Sequence, residues 1–242
     1  SEEGVPLVVV DLDSGVQTQT GFGWRPAARE GICYAVSADD QDVGVARKRA
    51  GADGYEVHLA VARIGDLHPT ATRVLPGLLV SSPTVNNDSP MQFSPDGRFL
   101  ALSVRRPAGL YWDVLVVDAH VLDTVLMVPD CRLMGSVSWS ADSQRLAVLE
   151  NDYPRILHVP DGRLEGLPWL SGTRGDPPRQ AQILGLLSGD RALLMRVTRT
   201  LMLRLILADL ATGKGPVAAS FPIKEQDWPV RLTVSRRWEA LG

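Results

Sequence analysis

The sequence predicts an all-β fold, a single β-propeller of five four-stranded blades whose closing blade is shared between the N- and C-termini. Three observations carry this. One strand–turn–strand pattern recurs along the whole chain. Its spacing is that of a propeller blade. The two ends of the chain hold complementary parts of one repeat.

Each copy is an apolar strand that stops at a serine, a tight polar turn, then a second apolar strand. The copies read CYAVSADDQDVGVA from Cys33, MQFSPDGRFLALS from Met91, VSWSADSQRLAVL from Val137, LGLLSGDRALLMR from Leu184 and RLTVSRRWEALG from Arg231. The marker serines, Ser37, Ser94, Ser140, Ser188 and Ser235, lie 57, 46, 48 and 47 residues apart. A strand-rich period of about 40–50 residues marks a blade-type repeat. The turn chemistry is local: in Ser94-Pro95-Asp96-Gly97 the serine accepts from the backbone, Pro95 presets φ, Asp96 suits the turn and Gly97 exits it. The turn acids therefore read as structural.

Third strands follow: EVHLAVA from Glu56, WDVLVVDA from Trp112, RILHVPDG from Arg155 and LRLILADLATG from Leu203. Their near-continuous apolar runs suit strands covered on both faces. A turn such as Asp161-Gly162 or Thr212-Gly213 then leads to a weaker fourth strand. VPLVVVDLDSGVQTQTG from Val5 matches third and fourth strands, while the C-terminus supplies only first and second ones. Counted around the ends, the last serine spacing is 44. The blades are therefore expected at 230–242 plus 5–22, 31–76, 89–129, 135–170 and 182–222, with strands from both ends latching the ring. The competing reading is a fragment of a six- to eight-bladed ring. LLVSS from Leu78 reads as a fourth strand extended into a linker in preference to an exposed docking patch.

The segments QFSPDGRFLALS and WSADSQRLAVL, with the DLDSG and DLATG strand endings, resemble the TolB-like, or tryptophan–aspartate-like, propeller repeats of bacteria. The resemblance spans essentially the whole chain at repeat level and implies the propeller fold. Such repeats serve in periplasmic scaffolds, peptidase lids and sensor ectodomains, so it implies a bacterial, extracytoplasmic setting without fixing a function. The blade at 31–76 departs most, with ADDQD at its turn and ARIGD after its third strand.

Composition narrows the function classes. At 45% hydrophobic and 22% charged, the 242-residue chain is an ordinary globular protein. A net charge of −3 gives no general attraction to nucleic acid. No apolar run is long enough to cross a membrane as a helix, and the N-terminal segment lacks the basic start of a signal peptide. Cys33, in an inner strand, and Cys131, read as a linker residue, are not expected to form a disulfide.

No catalytic set stands out. His58, His68, His120 and His158 share no metal-ligand spacing, and Asp39, Asp40 and Asp42 lack the order of a calcium loop. There is no G-x-S-x-G elbow. The expected inner strands ICYAVS, PMQFS, SVSWS, ILGLLS and VRLTVS carry no Asp or Glu, which a five-bladed glycosidase would need near its axis. Neither cofactor nor metal is expected.

The second-to-third loops and the inter-blade linkers share one ring face and hold the long variable segments, with aromatic residues interleaved with arginine. Loops on a rigid scaffold carry function, and these residue types dominate protein interfaces. The candidate partner-binding residues are Trp24, Arg25, Tyr55, Arg105, Trp112, Tyr153 and Trp228. Interleaved acids favour a protein or peptide partner over nucleic acid. The expectation is a non-catalytic scaffold or sensor module. The alternative is a peptidase lid or accessory domain, or a propeller that binds a small molecule or glycan.

Overall fold

The computed structural model describes residues 5–10, 16–24, 32–51, 54–66, 68–80, 91–106, 111–133, 139–151, 153–159, 161–167, 181–187, 190–197 and 202–222. They fall into two compact units, Ser1–Asp130 and Cys131–Gly242. All regular structure among the described residues is β-strand, so no helix there is long and apolar enough to cross a membrane.

In the first unit, β1 (Val5–Val10) and β2 (Gln17–Trp24) form an antiparallel pair. Sheet I runs β3 (Ile32–Val36), β4 (Asp42–Gly51), β5 (Gly54–Arg63) and β6 (Ala71–Pro76) in chain order. Sheet II holds β7 (Leu79–Val80), β8 (Met91–Phe93), β9 (Phe99–Arg105), β10 (Asp113–Asp118) and β11 (Thr124–Val128). Its β7 and β8 both pair with β9, in the line β11-β10-β9-β7.

Alternation on β5 sends Val57, Leu59 and Val61 inward, where they join Cys33, Ala46, Met91, Leu100, Leu102 and Leu115 in one core shared by sheets I and II. Each fully buried Leu or Val contributes about 1.5–3 kcal/mol of transfer free energy. Residues 99–104 of β9 and 113–117 of β10 are buried throughout, which is why their sequence runs apolar without alternating. The sheets approach closely at Gly44, where a Cβ would lie 3.1 Å from Leu100 Cδ2 and 3.3 Å from Phe93.

The LLVSS segment differs from its expected role. Leu79 and Val80 do form a strand, but it belongs to the next sheet, pairing with Arg105 and Val104 of β9. Both side chains are buried, so the pair completes an inner edge and does not extend a fourth strand.

The second unit holds sheet III, of β12 (Cys131–Leu133), β13 (Arg145–Glu150), β14 (Tyr153–His158) and β15 (Leu164–Gly166), and sheet IV, of β16 (Ala181–Leu187), β17 (Arg191–Val197), β18 (Met202–Asp209) and β19 (Val217–Pro222). Cys131 opens β12, opposite Glu150, and is not a linker residue. Of the SVSWS segment, Trp139 bridges Leu146, and Ser136–Ser138 lie outside the described residues. Ala147, Ile156 and Leu167 of sheet III pack with Ile183, Leu194 and Ala208 of sheet IV. The Arg145 guanidinium also meets the Asp190 carboxylate across these sheets. Both cysteines are buried and free.

The repeat is therefore real in three dimensions: four sheets of one antiparallel plan, plus the β1–β2 pair. The expected C-terminal partner of that pair, Arg231–Leu241, lies outside the described residues.

Candidate functional site

The two ends of each sheet differ in chemistry. At the serine-turn end, Ser37, Ser94 and Ser140 repeat one arrangement. Each hydroxyl donates to the carboxylate two residues on, Asp39, Asp96 or Asp142, at 2.5–2.6 Å. Each also accepts the N–H five residues on, from Asp42, Phe99 or Arg145, at 2.8–2.9 Å. The carboxylates accept a further backbone N–H, from Gln41, Arg98 or Gln144.

The Ser37 hydroxyl holds the Asp39 carboxyl below the usual carboxylate range. Burial pushes Asp142 upward, but the Ser140 and Gln144 bonds outweigh it and the net direction is down.

The third-to-fourth turns join the same end. In all four sheets their backbone bonds to the serine turn: Ile64 N–H to Gln41 carbonyl at 2.7 Å, and Ala119 to Arg98, Val159 to Gln144 and Leu210 to Asp190 at 2.8 Å. Asp118 and Asp209 accept N–H groups of their own turns, and the Thr212 hydroxyl bond draws the Asp209 carboxyl down. His158 takes the equivalent place in sheet III and bonds outward to Glu165 and Arg163. The polar groups at this end are largely consumed by folding.

The opposite end carries the hairpins between second and third strands, and there the large side chains stay accessible. Tyr55 opens β5 at 43% exposure, Tyr111 stands at 56% and Tyr153, opening β14, at 50%. In sheet II the Arg105 guanidinium lies over the Trp112 ring, 5.1 Å from its centroid. In sheet I the Lys48 ammonium lies over the Tyr55 ring at 4.2 Å. Such contacts contribute about 0.5–1 kcal/mol at exposed sites. In sheet III the corresponding hairpin neutralises itself: Arg155 Nε donates to Glu150 Oε2 at 2.8 Å.

Of the expected partner-binding residues, Tyr55, Arg105 and Trp112 come to one end of the first unit. The Tyr55 carbonyl accepts the Gly77 N–H at 2.9 Å, and two residues on, Leu79 pairs with Arg105. Tyr153 occupies the hairpin of sheet III in the second unit. Trp24 closes β2, pairing with Val5, while Arg25 and Trp228 lie outside the described residues.

Lys48 is the member not singled out: the segment ARKRAGADGYE from Ala46 reads as a second-to-third loop rich in arginine, but the structure continues β4 through it to Gly51. Ser37 to Ser94 and Lys48 to Arg105 share an offset of 57, so the two cations stand at equivalent positions of the second strands. The third strands repeat at 55, Ile64 to Ala119, so the rings beneath the cations are not equivalent residues.

Among the described residues the other polar side chains form no comparable repeated set. His58 Nε2 and Glu56 Oε1 pair at 2.5 Å on the other face of sheet I. Among the described residues, no group of three or more His, Cys, Asp and Glu could hold a metal ion.

No protein-family model and no curated protein matches the sequence. Solved structures do resemble it. Oligopeptidase B from Trypanosoma brucei matches with a TM-score of 0.50 at 9% identity, over 84% of this chain and 29% of that one. A putative dipeptidyl aminopeptidase IV from Bacteroides ovatus matches with a TM-score of 0.50 at 10% identity, over 89% of this chain and 32% of that one. TolB from Acinetobacter baumannii matches with a TM-score of 0.48 at 14% identity, over 88% of this chain and 48% of that one. The chain thus spans about half of TolB and about a third of the peptidases. The peptidase matches, with the repeated antiparallel sheets, define a propeller-like fold.

Proposed function

We propose that the chain is a non-catalytic module that binds a protein or peptide on the hairpin end of its sheets. One observation carries this reading: the polar side chains of the serine-turn end are tied up in turns, while the hairpin end of sheets I and II exposes Tyr55 and Tyr111 and carries Arg105 and Trp112. Aromatic and arginine side chains on a rigid frame are the usual anchors of an interface, and little rearrangement on binding is expected of such a frame.

The ring-closing arrangement belongs to the same proposal: five blades, with residues 230–242 completing the β1–β2 pair. Two facts support it. Among the described residues the pair has two strands where the other sheets have four or more. Sheets I and IV each carry a second apolar cluster drawn from their own strands, around Val43, Val45 and Ala62 in one and Leu184, Leu193 and Leu203 in the other. Hydrogen exchange tests it: deleting residues 230–242 should unprotect β1 amides, and unaltered protection would remove the latch.

The binding reading is tested by isolating a partner with the tagged protein and titrating it against a variant with alanine at Trp24, Tyr55, Arg105, Trp112 and Trp228. Affinity should fall by more than a hundredfold, roughly the loss of two hot-spot residues. Equal affinity of the variant would sink the reading. A peptidase lid or accessory domain is the alternative, and it rests on likeness of fold, which does not decide function.

A further inference from the structure

The two cation–aromatic pairs of the first unit lack an acid. Arg105 and Lys48 rest on rings, and among the described residues neither meets a carboxylate. The Arg105 Nε is buried and has no hydrogen-bond acceptor among the described residues. A buried charged donor left unpaired is costly, and such a group calls for an explanation, a bound partner among them. The equivalent hairpin of sheet III carries its own acid, Glu150 on Arg155. Sheets I and II differ from sheet III in this, with their cations resting on rings at equivalent second-strand positions. Of the acids near these hairpins, Asp113 accepts the Asp130 N–H, Glu56 turns to His58 and Asp53 lies outside the described residues.

From this we infer that the hairpin end of sheets I and II binds an acidic peptide segment in extended form. One carboxylate would take the free edge of the Arg105 guanidinium and a second the Lys48 ammonium, with Tyr55 and Trp112 flanking the chain between them. The inference rests on the peptide-binding reading above and specifies its ligand. The path from Tyr55 through Gly77 and Leu79 to Arg105 places the two anchor positions within about 20 Å, some six residues of extended chain. Guanidinium suits carboxylate because its fork offers paired N–H donors. A local group of cations on a chain of net charge −3 suits a short acidic segment better than a nucleic-acid backbone.

Random dodecapeptides displayed on phage, selected against the full 242-residue chain, test this. Selected sequences should carry two Asp or Glu residues no more than about six apart. A synthetic selected peptide should lose at least about tenfold in affinity on the K48Q/R105Q variant, or when its acids become Asn and Gln, the loss of one charged hydrogen bond. Arg105→Lys should recover only part of the affinity lost in Arg105→Gln, because an ammonium restores the charge but not the paired N–H fork. If K48Q/R105Q fails to fold, the altered peptide on the unmodified chain gives the same reading. Selected peptides without acids, lost on Y55A/W112A but not on K48Q/R105Q, overturn the acidic ligand and leave the peptide-binding reading standing. No peptide sensitive to either variant overturns both. A single-stranded 20-mer oligonucleotide bound in place of peptides, and lost on K48Q/R105Q, reassigns the patch to phosphate.

Discussion

Arg73 on the outer strand of sheet I donates from Nη1 to the main-chain carbonyl of Leu122, in the third-to-fourth turn of sheet II, at 2.5 Å. Leu122 is fully buried and has φ of 59°, a left-handed conformation costing a non-glycine residue about 1–2 kcal/mol. The equivalent positions in sheets III and IV are Gly162 and Gly213, with φ of 73° and 64°. Sheet II keeps the strained leucine because its side chain joins the core shared with sheet I. Replacing Leu122 by alanine should therefore lower stability by about 2–5 kcal/mol. Arg73→Ala should cost about 1–3 kcal/mol by stranding the carbonyl. Arg73 also reaches Asp123 at 3.7 Å, but Asp123 is 85% exposed, so Asp123→Ala should change stability by less than about 0.5 kcal/mol. Urea unfolding midpoints check the three. An equal loss for Arg73→Ala and Asp123→Ala would mean that the ion pair, not the carbonyl bond, joins the sheets.

The serine turns predict an acid response. Ser94 is fully buried, and its hydroxyl is the acceptor for the Phe99 N–H. Ser94→Ala leaves that donor unpaired and should cost about 1–3 kcal/mol. The carboxyls of Asp39, Asp142 and Asp209 lie below their ordinary value in the folded chain. Their contribution is complete above the unfolded value of about 3.9 and is lost as pH falls through the lower folded values. Stability should thus drop below about pH 4, and Ser37→Ala should flatten part of that drop by releasing Asp39. Urea midpoints measured from pH 6 to pH 2 read both effects, and a Ser37→Ala curve parallel to the parent would contradict the assignment.

Cys33 lies within the core of the first unit, where burial pushes its thiol up to about 12. The thiolate is the reactive form, so at pH 8 the folded chain should leave Cys33 unmodified by a disulfide reagent such as dithionitrobenzoate. Full reaction should appear only in denaturant. Labelling of Cys33 within minutes in the native protein, located by peptide mapping, would show that the core opens.

The repeat was legible because the serine turn is local chemistry: Ser, Asp and the turn residues carry their reason within six positions. The third strand of sheet II was legible because a strand covered on both faces runs apolar, whereas β5 alternates and β18 is only partly buried despite their apolar runs. The hairpin end was legible only in outline. Composition pointed to Tyr55, Arg105 and Trp112, yet Lys48 stands between two arginines in ARKRAG, which reads as loop and is the end of β4. Pairing it with Tyr55 needs the register of β4 on β5, which no local signal supplies. Leu79 and Val80 show the same limit. Their apolar character announced a strand, but the sheet they join depends on a turn at Gly77 and on a free edge of β9 farther along the chain.

Two glycines of the first unit should respond to alanine for opposite reasons. Gly77 has φ of 67°, and an added Cβ would meet nothing within 4 Å. Its cost is conformational, about 1–2 kcal/mol for alanine and less for asparagine, which tolerates this region better. Gly44 has an ordinary strand conformation, but its Cβ would press on Leu100 at 3.1 Å and Phe93 at 3.3 Å. Both neighbours are buried, so the core must shift, at about 1–3 kcal/mol. The distinction is testable by rescue. Leu100→Val removes part of the crowding and should recover stability in Gly44→Ala but not in Gly77→Ala. Gly77 also sets the path from Tyr55 to Arg105. Gly77→Ala should therefore weaken binding at the hairpin end beyond what its loss of stability explains, whereas Gly44→Ala should not. Equal effects on affinity would show that Gly77 shapes the fold alone.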